Sequence, residues 1–240
     1  MPLKLTQITD THLSQDTPSR TNDLENAVAA ILALPAADTP DLVVHTGDIT
    51  HNSATAEYEI ARRCLEKLPC PVFTIPGNKD KREDFMQAYG AHEHIDVSSG
   101  FAQYSLENYP VRLIFLDTHD SNTNQGELCE QRMTHLRAML EQDRSRAVVI
   151  FMHHPPFEAM EIPQPRQFTD WGQVTEFTEI TAGFNNIERI ICGHVHRNIE
   201  AQAGAIPVHA LTCMAGDLRK GEVADSDRKL PVMRHFLLGD

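Results

Sequence analysis

Potential metal ligands follow directly on apolar runs at five places in this sequence: QITDTH (7–12), VVHTGD (43–48), FTIPGN (73–78), VIFMHH (149–154) and IICGHVH (190–196). The side chains so placed are Asp10, His12, Asp48, Asn78, His153, His194 and His196. Carboxylates, an amide oxygen and imidazoles, with no thiolate among them, suit Mn²⁺, Fe or Zn²⁺ better than a soft metal. Asp10 and His12 are two residues apart, as are His194 and His196, so in extended backbone each pair projects to one side. The set exceeds what one transition metal accepts, so two divalent or trivalent ions are expected, with one carboxylate bridging them. Such pairs, ~3.5–4 Å apart, activate water and clamp the attacking and leaving oxygens of a phosphoryl group. A lone histidine at a strand end is ordinarily structural, and Gly-Asp or Gly-Asn is ordinarily turn chemistry. The ordered repetition behind apolar runs is what points to a site.

The elements that must position these residues alternate. Residues 3–9, 41–46 and 71–75 read as strands. Helical spacing over Asn22–Leu34 (with Asn22 as the cap), 55–68 and 81–89 separates or follows them. This alternation predicts a layered α/β fold. Next come strands 101–106 and 111–117 around the turn ENYP, a helix over Glu127–Gln142, a strand over 146–152, a helix over 170–182 and a strand over 189–192. From about 198 the chain reads as β-rich, with a hairpin around Gly204 and a last strand VMRHFLL. No repeat or linker divides the chain, so residues 1–240 are expected to form a single domain. In layered sheets, ligands bind in the crevice beyond the carboxyl ends of the strands, where donors from separate strands can meet.

The chain has 240 residues, 41% apolar and 23% charged, with a formal net charge of −13. No basic cluster appears beyond Lys79-Asp80-Lys81-Arg82, which argues against duplex nucleic acid or an anionic membrane as the main partner. The five cysteines are widely spaced and contain no C-x-x-C pair, as expected of reduced thiols in a cytoplasmic protein. The N-terminus lacks a signal-peptide pattern, and no apolar run approaches the ~18 residues of a membrane span.

The ordered set Asp10-Thr11-His12, Gly47-Asp48, Gly77-Asn78, His153-His154-Pro155-Pro156 and Gly193-His194-Val195-His196 resembles the calcineurin-like metallophosphoesterases, from residue 8 to about 200. DTHLS at 10–14, GDIT at 47–50, GEL at 126–128 and GHVHR at 193–197 look most like the class III branch, which holds cyclic nucleotide and glycerophosphodiester phosphodiesterases. The resemblance implies a four-layer α/β/β/α sandwich of two mixed sheets flanked by helices. It places Asp10, His12, Asp48 and His196 on a first metal and Asp48, Asn78, His153 and His194 on a second, with Asp48 bridging. The His-x-Pro arrangement favours His153 over His154. Asn78, Lys79 and His196 would also face the substrate. The activity implied is hydrolysis of small phosphodiesters, cyclic nucleotides or glycerophosphodiesters, by a metal-bridging hydroxide attacking in line. A phosphomonoesterase or nuclease on the same site is the alternative, and a non-catalytic scaffold a further one, against which the complete ligand set weighs. Homodimers are common in this branch, and the hairpin near 198–212 is the candidate contact.

One position departs from the family. Its Gly-Asn-His block reads Gly77-Asn78-Lys79 here. The family histidine contacts the phosphate and protonates the leaving oxygen, a task suited to a group titrating near neutrality. A lysine, with a reference pKa of about 10.4, begins as a poorer acid. Lys79 either contacts the phosphate as a fixed charge, acts as an acid with a lowered pKa, or points to solvent; Asp80 could orient it by pairing. The expectation is a preference for diesters with good leaving groups.

Among the remaining residues, His45 reads as a satisfied core histidine. His51, His92, His94 and His119 are expected near the mouth of the site, facing substrate or solvent. Asn52 and Asp117-Thr118-His119 could line the pocket, Arg197 could contact substrate or form a surface ion pair, and Phe168 and Trp171 could cover the site or simply pack.

Overall fold

The structure, a computed structural model, describes residues 2–92, 94–164, 166–221 and 230–239. Strands β1 (Leu3–Ile8), β2 (Leu42–His45) and β3 (Val72–Thr74) run parallel, linked by helices α1 (Pro18–Leu32) and α2 (Thr55–Leu65). Helix α3 (Arg82–Tyr89) follows. A second sheet is built from β4 (Tyr104–Leu106), β5 (Arg112–Phe115), β6 (Val148–Phe151), β7 (Ile187–Cys192), β8 (Ile199–Ala203) and β9 (Ile206–Ala210), with helices α4 (Glu130–Glu141) and α5 (Trp171–Ala182) between its strands. The last strand, β10 (Arg234–Leu238), returns to pair antiparallel with β1, giving the orders β10-β1-β2-β3 and β4-β5-β6-β7-β9-β8. The β-rich C-terminal stretch is thus split: its hairpin extends one sheet and its last strand edges the other.

The sheets face one another. Gln7 on β1 donates across to the Cys192 carbonyl of β7 at 2.8 Å, and the Phe73 ring of β3 lies 6.0 Å from that of Phe115 on β5. Alternation on the second sheet sorts its side chains by face, as the two-residue period of a strand requires. Leu113, Phe115, Val149 and Phe151 join the core shared with the first sheet and helices α1 to α3. Ile114, Val148 and Ile150 join the core beneath α4 and α5. The result is the α/β/β/α sandwich.

Register brings the strand ends level. Ile8 lies opposite His45, and His45 opposite Thr74; Phe115 lies opposite Phe151, and Phe151 opposite Ile191. The loops leaving β1, β2, β3, β6 and β7 therefore emerge along one edge. Several boundaries fall short of expectation by up to three residues, as at β4 and α4. The largest difference is that α1 starts at Pro18, not after Asn22, because proline at the first turn gives up no hydrogen bond and arrives with its φ already helical.

Tyr104, Phe115 and Phe151 stack in series across the second sheet, with ring centroids 4.5 and 4.8 Å apart. Phe115 is fully buried. Phe115→Ala should lower unfolding stability by about 3–5 kcal/mol, read from the urea midpoint with the metal content held constant.

Candidate metal centre

The ligand-type residues converge. Asp10, His12, Asp48 and His196 each offer a donor atom within 4.8 Å of the others. His12 Nε2 lies 3.0 Å from His196 Nε2, and Asp10 Oδ1 lies 3.3 Å from His196 Nε2. Neighbouring donors on one ion, each bound at ~2.0–2.2 Å, sit about this far apart. In the adjacent group, Asn78 Oδ1 is 3.2 Å from His153 Nε2 and 2.9 Å from His194 Nδ1. Asp48 links the groups, with Oδ2 3.4 Å from His12 Nε2 and Oδ1 3.5 Å from His153 Nε2.

Hydrogen bonds behind the donors fix which atoms face inward. His153 Nδ1–H donates to the Thr46 carbonyl at 2.8 Å, and His196 Nδ1–H to the Leu218 carbonyl at 3.0 Å. In the neutral rings, each Nε2 is left as a lone pair. The His153 lone pair then meets the oxygens of Asn78 and Asp48, and that of His196 meets Asp10. Acceptors gathered in this way repel unless a cation or proton lies between them, so the residues fit the divalent metal ions that the fold calls for. His154 differs: its Nε2–H donates to the Asn124 carbonyl at 3.2 Å, and its Nδ1 takes the Thr118 hydroxyl at 2.8 Å. Both ring nitrogens are thereby occupied.

The electrostatics differ between donors. Burial lowers the His196 imidazole, but the hydrogen bond to Asp10 and its charge outweigh this and raise it above the ordinary value, so with no cation present a proton is favoured between them. Burial holds His12 and His194 well below the ordinary histidine range, in the neutral form that binds metal. Burial would raise the Asp10 carboxyl, but the hydrogen bond to His196 and the surrounding imidazoles hold it below the carboxylate range. Burial pushes Asp48 up to about 7, against the pull of His153 and with the help of Asp10 and Asp80. The protein alone supplies too little positive charge for this carboxylate. Cys213 also lies beside His12 and His196, but its Sγ donates to the Asp10 carbonyl at 3.0 Å and burial raises its pKa. It remains a thiol that props Asp10.

The loops carry strain. Asp10, His12, Asp48, His194 and His196 all have positive φ, between 43° and 72°, so the i, i+2 pairs are left-handed, not extended as expected. Non-glycine residues rarely adopt this region, and such strain clusters at functional sites. Close approach demands glycine: a Cβ on Gly77 would sit 2.2 Å from Asp48 N and Oδ1, and one on Gly193 2.5 Å from Asp10 Oδ2. His45, fully buried, ties two of the loops together. It accepts from Gly47 N–H at 3.3 Å and donates to Thr11 Oγ1 at 3.0 Å, while Thr11 donates on to the Ile49 carbonyl.

Lys79 N–H donates to Asp48 Oδ1 at 2.7 Å, and Nζ donates to Asn124 Oδ1 at 3.3 Å. Both residues line a cleft of about 390 Å³ over the donors. Asp80 does not pair with Lys79. It turns inward and accepts from the backbone N–H groups of Ile49, Thr50 and Gly77 and from the Tyr58 hydroxyl, because those buried donors need an acceptor.

Several other expectations are corrected. His92 and His94 lie away from the cleft among the rings of Tyr89, Phe73 and Tyr104; a larger hollow of about 520 Å³ beside His92 contains no ligand cluster among the described residues. Asn52 is held by Glu57 at the start of α2. Asp117 is buried against Arg82 and Arg132, and His119 donates its backbone N–H to Asp117. His51 packs 5.8 Å from the His12 ring. Arg197 makes no ion pair among the described residues and is not part of the cleft wall. Phe168 lies in the core beneath α4 and α5 and Trp171, half-buried, packs against it, the second of the two readings given for them. Asn124, Arg166 and Lys220 do line the cleft, although no motif in the sequence marks them.

The calcineurin-like phosphoesterase family matches residues 3–198. A probable glycerophosphodiester phosphodiesterase of Arcobacter nitrofigilis is 29% identical over 205 residues, covering 82% of this chain and 73% of the relative. The 3′,5′-cyclic adenosine monophosphate phosphodiesterase CpdA of Escherichia coli is 26% identical over 206 residues, covering 82% and 71%. A dimetal phosphatase from Danio rerio superposes with a TM-score of 0.74 over 99% of this chain and 93% of that one. At 14% identity that likeness speaks for the fold alone.

Two outcomes follow from the geometry. Asp48→Asn should lower the tightly bound metal per chain, measured by elemental analysis after gel filtration. In chelated protein, burial holds His45 at about 3 instead of 6.5. The unfolded chain therefore binds a proton that the folded chain refuses between these values, and stability falls as pH drops below 6.5. His45→Gln should flatten the dependence of urea stability on pH between 6 and 5 by roughly 1 kcal/mol per unit.

Proposed function

The chain belongs to the calcineurin-like phosphoesterase family, and we propose that it hydrolyses small phosphodiesters, cyclic nucleotides or glycerophosphodiesters, at a dinuclear metal centre, releasing a monoester and an alcohol. The observation that carries this reading is the Asp48 carboxylate, one oxygen facing each donor group. Asp10, His12, Asp48 and His196 would hold the first ion and Asp48, Asn78, His153 and His194 the second, with Mn²⁺ or Fe favoured and Zn²⁺ compatible. Bound there, the cations lower the pKa of water toward neutrality and offset the charge on the phosphodiester.

The protein's own part is positional. Thr46 and Leu218 hold His153 and His196 in one tautomer, a constraint that also raises the basicity of a ligand imidazole. The Lys79 amide holds the Asp48 oxygen that faces His153. The Lys79 ammonium, kept at the cleft wall by Asn124, meets a non-bridging phosphoryl oxygen or the departing alkoxide as a fixed positive charge. Asn78 and His196 complete the floor on which the phosphate rests. The five free thiols suit a cytoplasmic setting; no described helix is long and apolar enough to cross a membrane. A homodimer would use the β8–β9 hairpin, whose β8 is the outer strand of its sheet.

The deciding experiment is an assay of metal-reconstituted enzyme on cyclic AMP, its 2′,3′ isomers, glycerophosphodiesters and bis-p-nitrophenyl phosphate. Diester cleavage that depends on Mn²⁺ or Fe is expected. Fewer than one ion per chain, with no activity on adding Mn²⁺, would instead identify a scaffold. Lys79→His should introduce a pH limb near neutrality and flatten the dependence of rate on leaving-group pKa. If neither changes, Lys79 has no part in the chemistry.

A further inference from the structure

This inference rests on the phosphodiesterase reading and concerns which diester the cleft accepts. The chain carries a formal charge of −13, yet two ammoniums line the cleft, those of Lys79 and Lys220. Neither has a carboxylate partner among the described residues, and the third cation of the wall, Arg166, is paired with Glu158 at 2.9 Å. Among the described residues Asp48 is the only carboxylate lining the cleft, and its oxygens face the histidines.

The two lysines are anchored beside different donor groups. Lys79 follows the ligand Asn78 and is fixed through its amide to Asp48. Lys220 donates its backbone N–H to the His196 carbonyl at 3.1 Å, two residues after the Leu218 carbonyl that takes the His196 ring proton. The segment that orients a metal-ligand histidine therefore also holds a lysine at the rim.

Among the described residues, the rest of the wall is mainly polar. Asn78, Asn124, Gln125, Gln164 and Gln167 supply amides, and Ile162 and Pro163 are its apolar surface. Among the described residues no Phe, Tyr or Trp lines the cleft, so it lacks the stacking face that commonly grips a nucleobase. A phosphodiester carries one negative charge, which the metal centre and Lys79 meet without help. Lys220 remains as a cation with no carboxylate partner among the described residues, beside amides that can bond to hydroxyl groups.

We propose that the substrate carries a second anionic group, a carboxylate or a phosphate, on a hydroxylated and non-aromatic part of the diester, and that Lys220 is the specificity-determining residue that binds it. Such a contact is charge-assisted and so stronger than a neutral hydrogen bond. At the rim it is also screened by salt.

The test is a matched pair of substrates, the p-nitrophenyl diesters of glycerol 3-phosphate and of 3-phosphoglycerate. They share a leaving group and differ in one hydroxymethyl or carboxylate. On Mn²⁺-loaded wild-type enzyme at low salt, the carboxylate-bearing diester should have a kcat/KM about tenfold higher, mainly through KM, as expected of one charge-assisted contact. The ratio should shrink on adding KCl. Lys220→Ala should bring it close to one, Lys220→Glu should invert it and Lys220→Arg should keep it. Calorimetry should show the same order for the bound products, 3-phosphoglycerate above glycerol 3-phosphate. A ratio near one in the wild type, or one that Lys220→Glu leaves unmoved, overturns the inference while the phosphodiesterase reading stands. If bis-p-nitrophenyl phosphate and both diesters go uncleaved by metal-loaded wild type, the phosphodiesterase reading fails and the inference with it.

Discussion

The two oxygens of Asp48 face different donor groups, 3.4 Å from His12 and 3.5 Å from His153, and keeping one buried carboxylate there constrains loops on both sheets. Its backbone takes positive φ. The Lys79 amide must approach one of its oxygens, and the residue at 77 must have no Cβ. Asp80 then satisfies the backbone N–H groups that this tight crossing leaves buried. Because burial disfavours the charged form of Asp48, the arrangement is stable only with positive charge nearby. His12, on one side of it, is held neutral by burial and cannot supply that charge.

The donors divide between the sheets. Asp10, His12, Asp48 and Asn78 come from loops after β1, β2 and β3, and His153, His194 and His196 from loops after β6 and β7. Packing across the sandwich is therefore also what sets ligand distances. The Gln7 bond to the Cys192 carbonyl and the contact of the Phe73 ring with that of Phe115 tie the two sheets together beneath the site. This is how a core without polar chemistry of its own supports the donor geometry.

Much of this was legible in the sequence. Strand ends followed at once by donors identified the loops, because a strand that stops at an apolar-to-polar boundary must place its next residue in the crevice. The layered class followed from alternating periodicities. Other features were not legible, for physical reasons. The inward turn of Asp80 depends on backbone donors from a loop about thirty residues away in sequence. The departure of His92 and His94 from the mouth reflects the aromatic cluster that captures them. Asn124 and Lys220 reach the cleft through irregular loops, where neither periodicity nor a motif reports direction. The early start of α1 came from Pro18, which outweighed a cap placed by side-chain type alone.

The left-handed backbone at Asp10, His12, Asp48, His194 and His196 also bears on how such a site can change over generations. Asp, Asn and His enter this region more readily than other residues with a side chain, whereas a β-branched residue is an outlier there. Drift at these positions is therefore confined to a few residue types, and a substitution outside them loses a donor and distorts a loop together. Asn78 and His153 lie outside that group, so a replacement there removes a donor without the backbone penalty. Both belong to the second donor group. Backbone strain thus restricts replacement more in the first donor group than in the second.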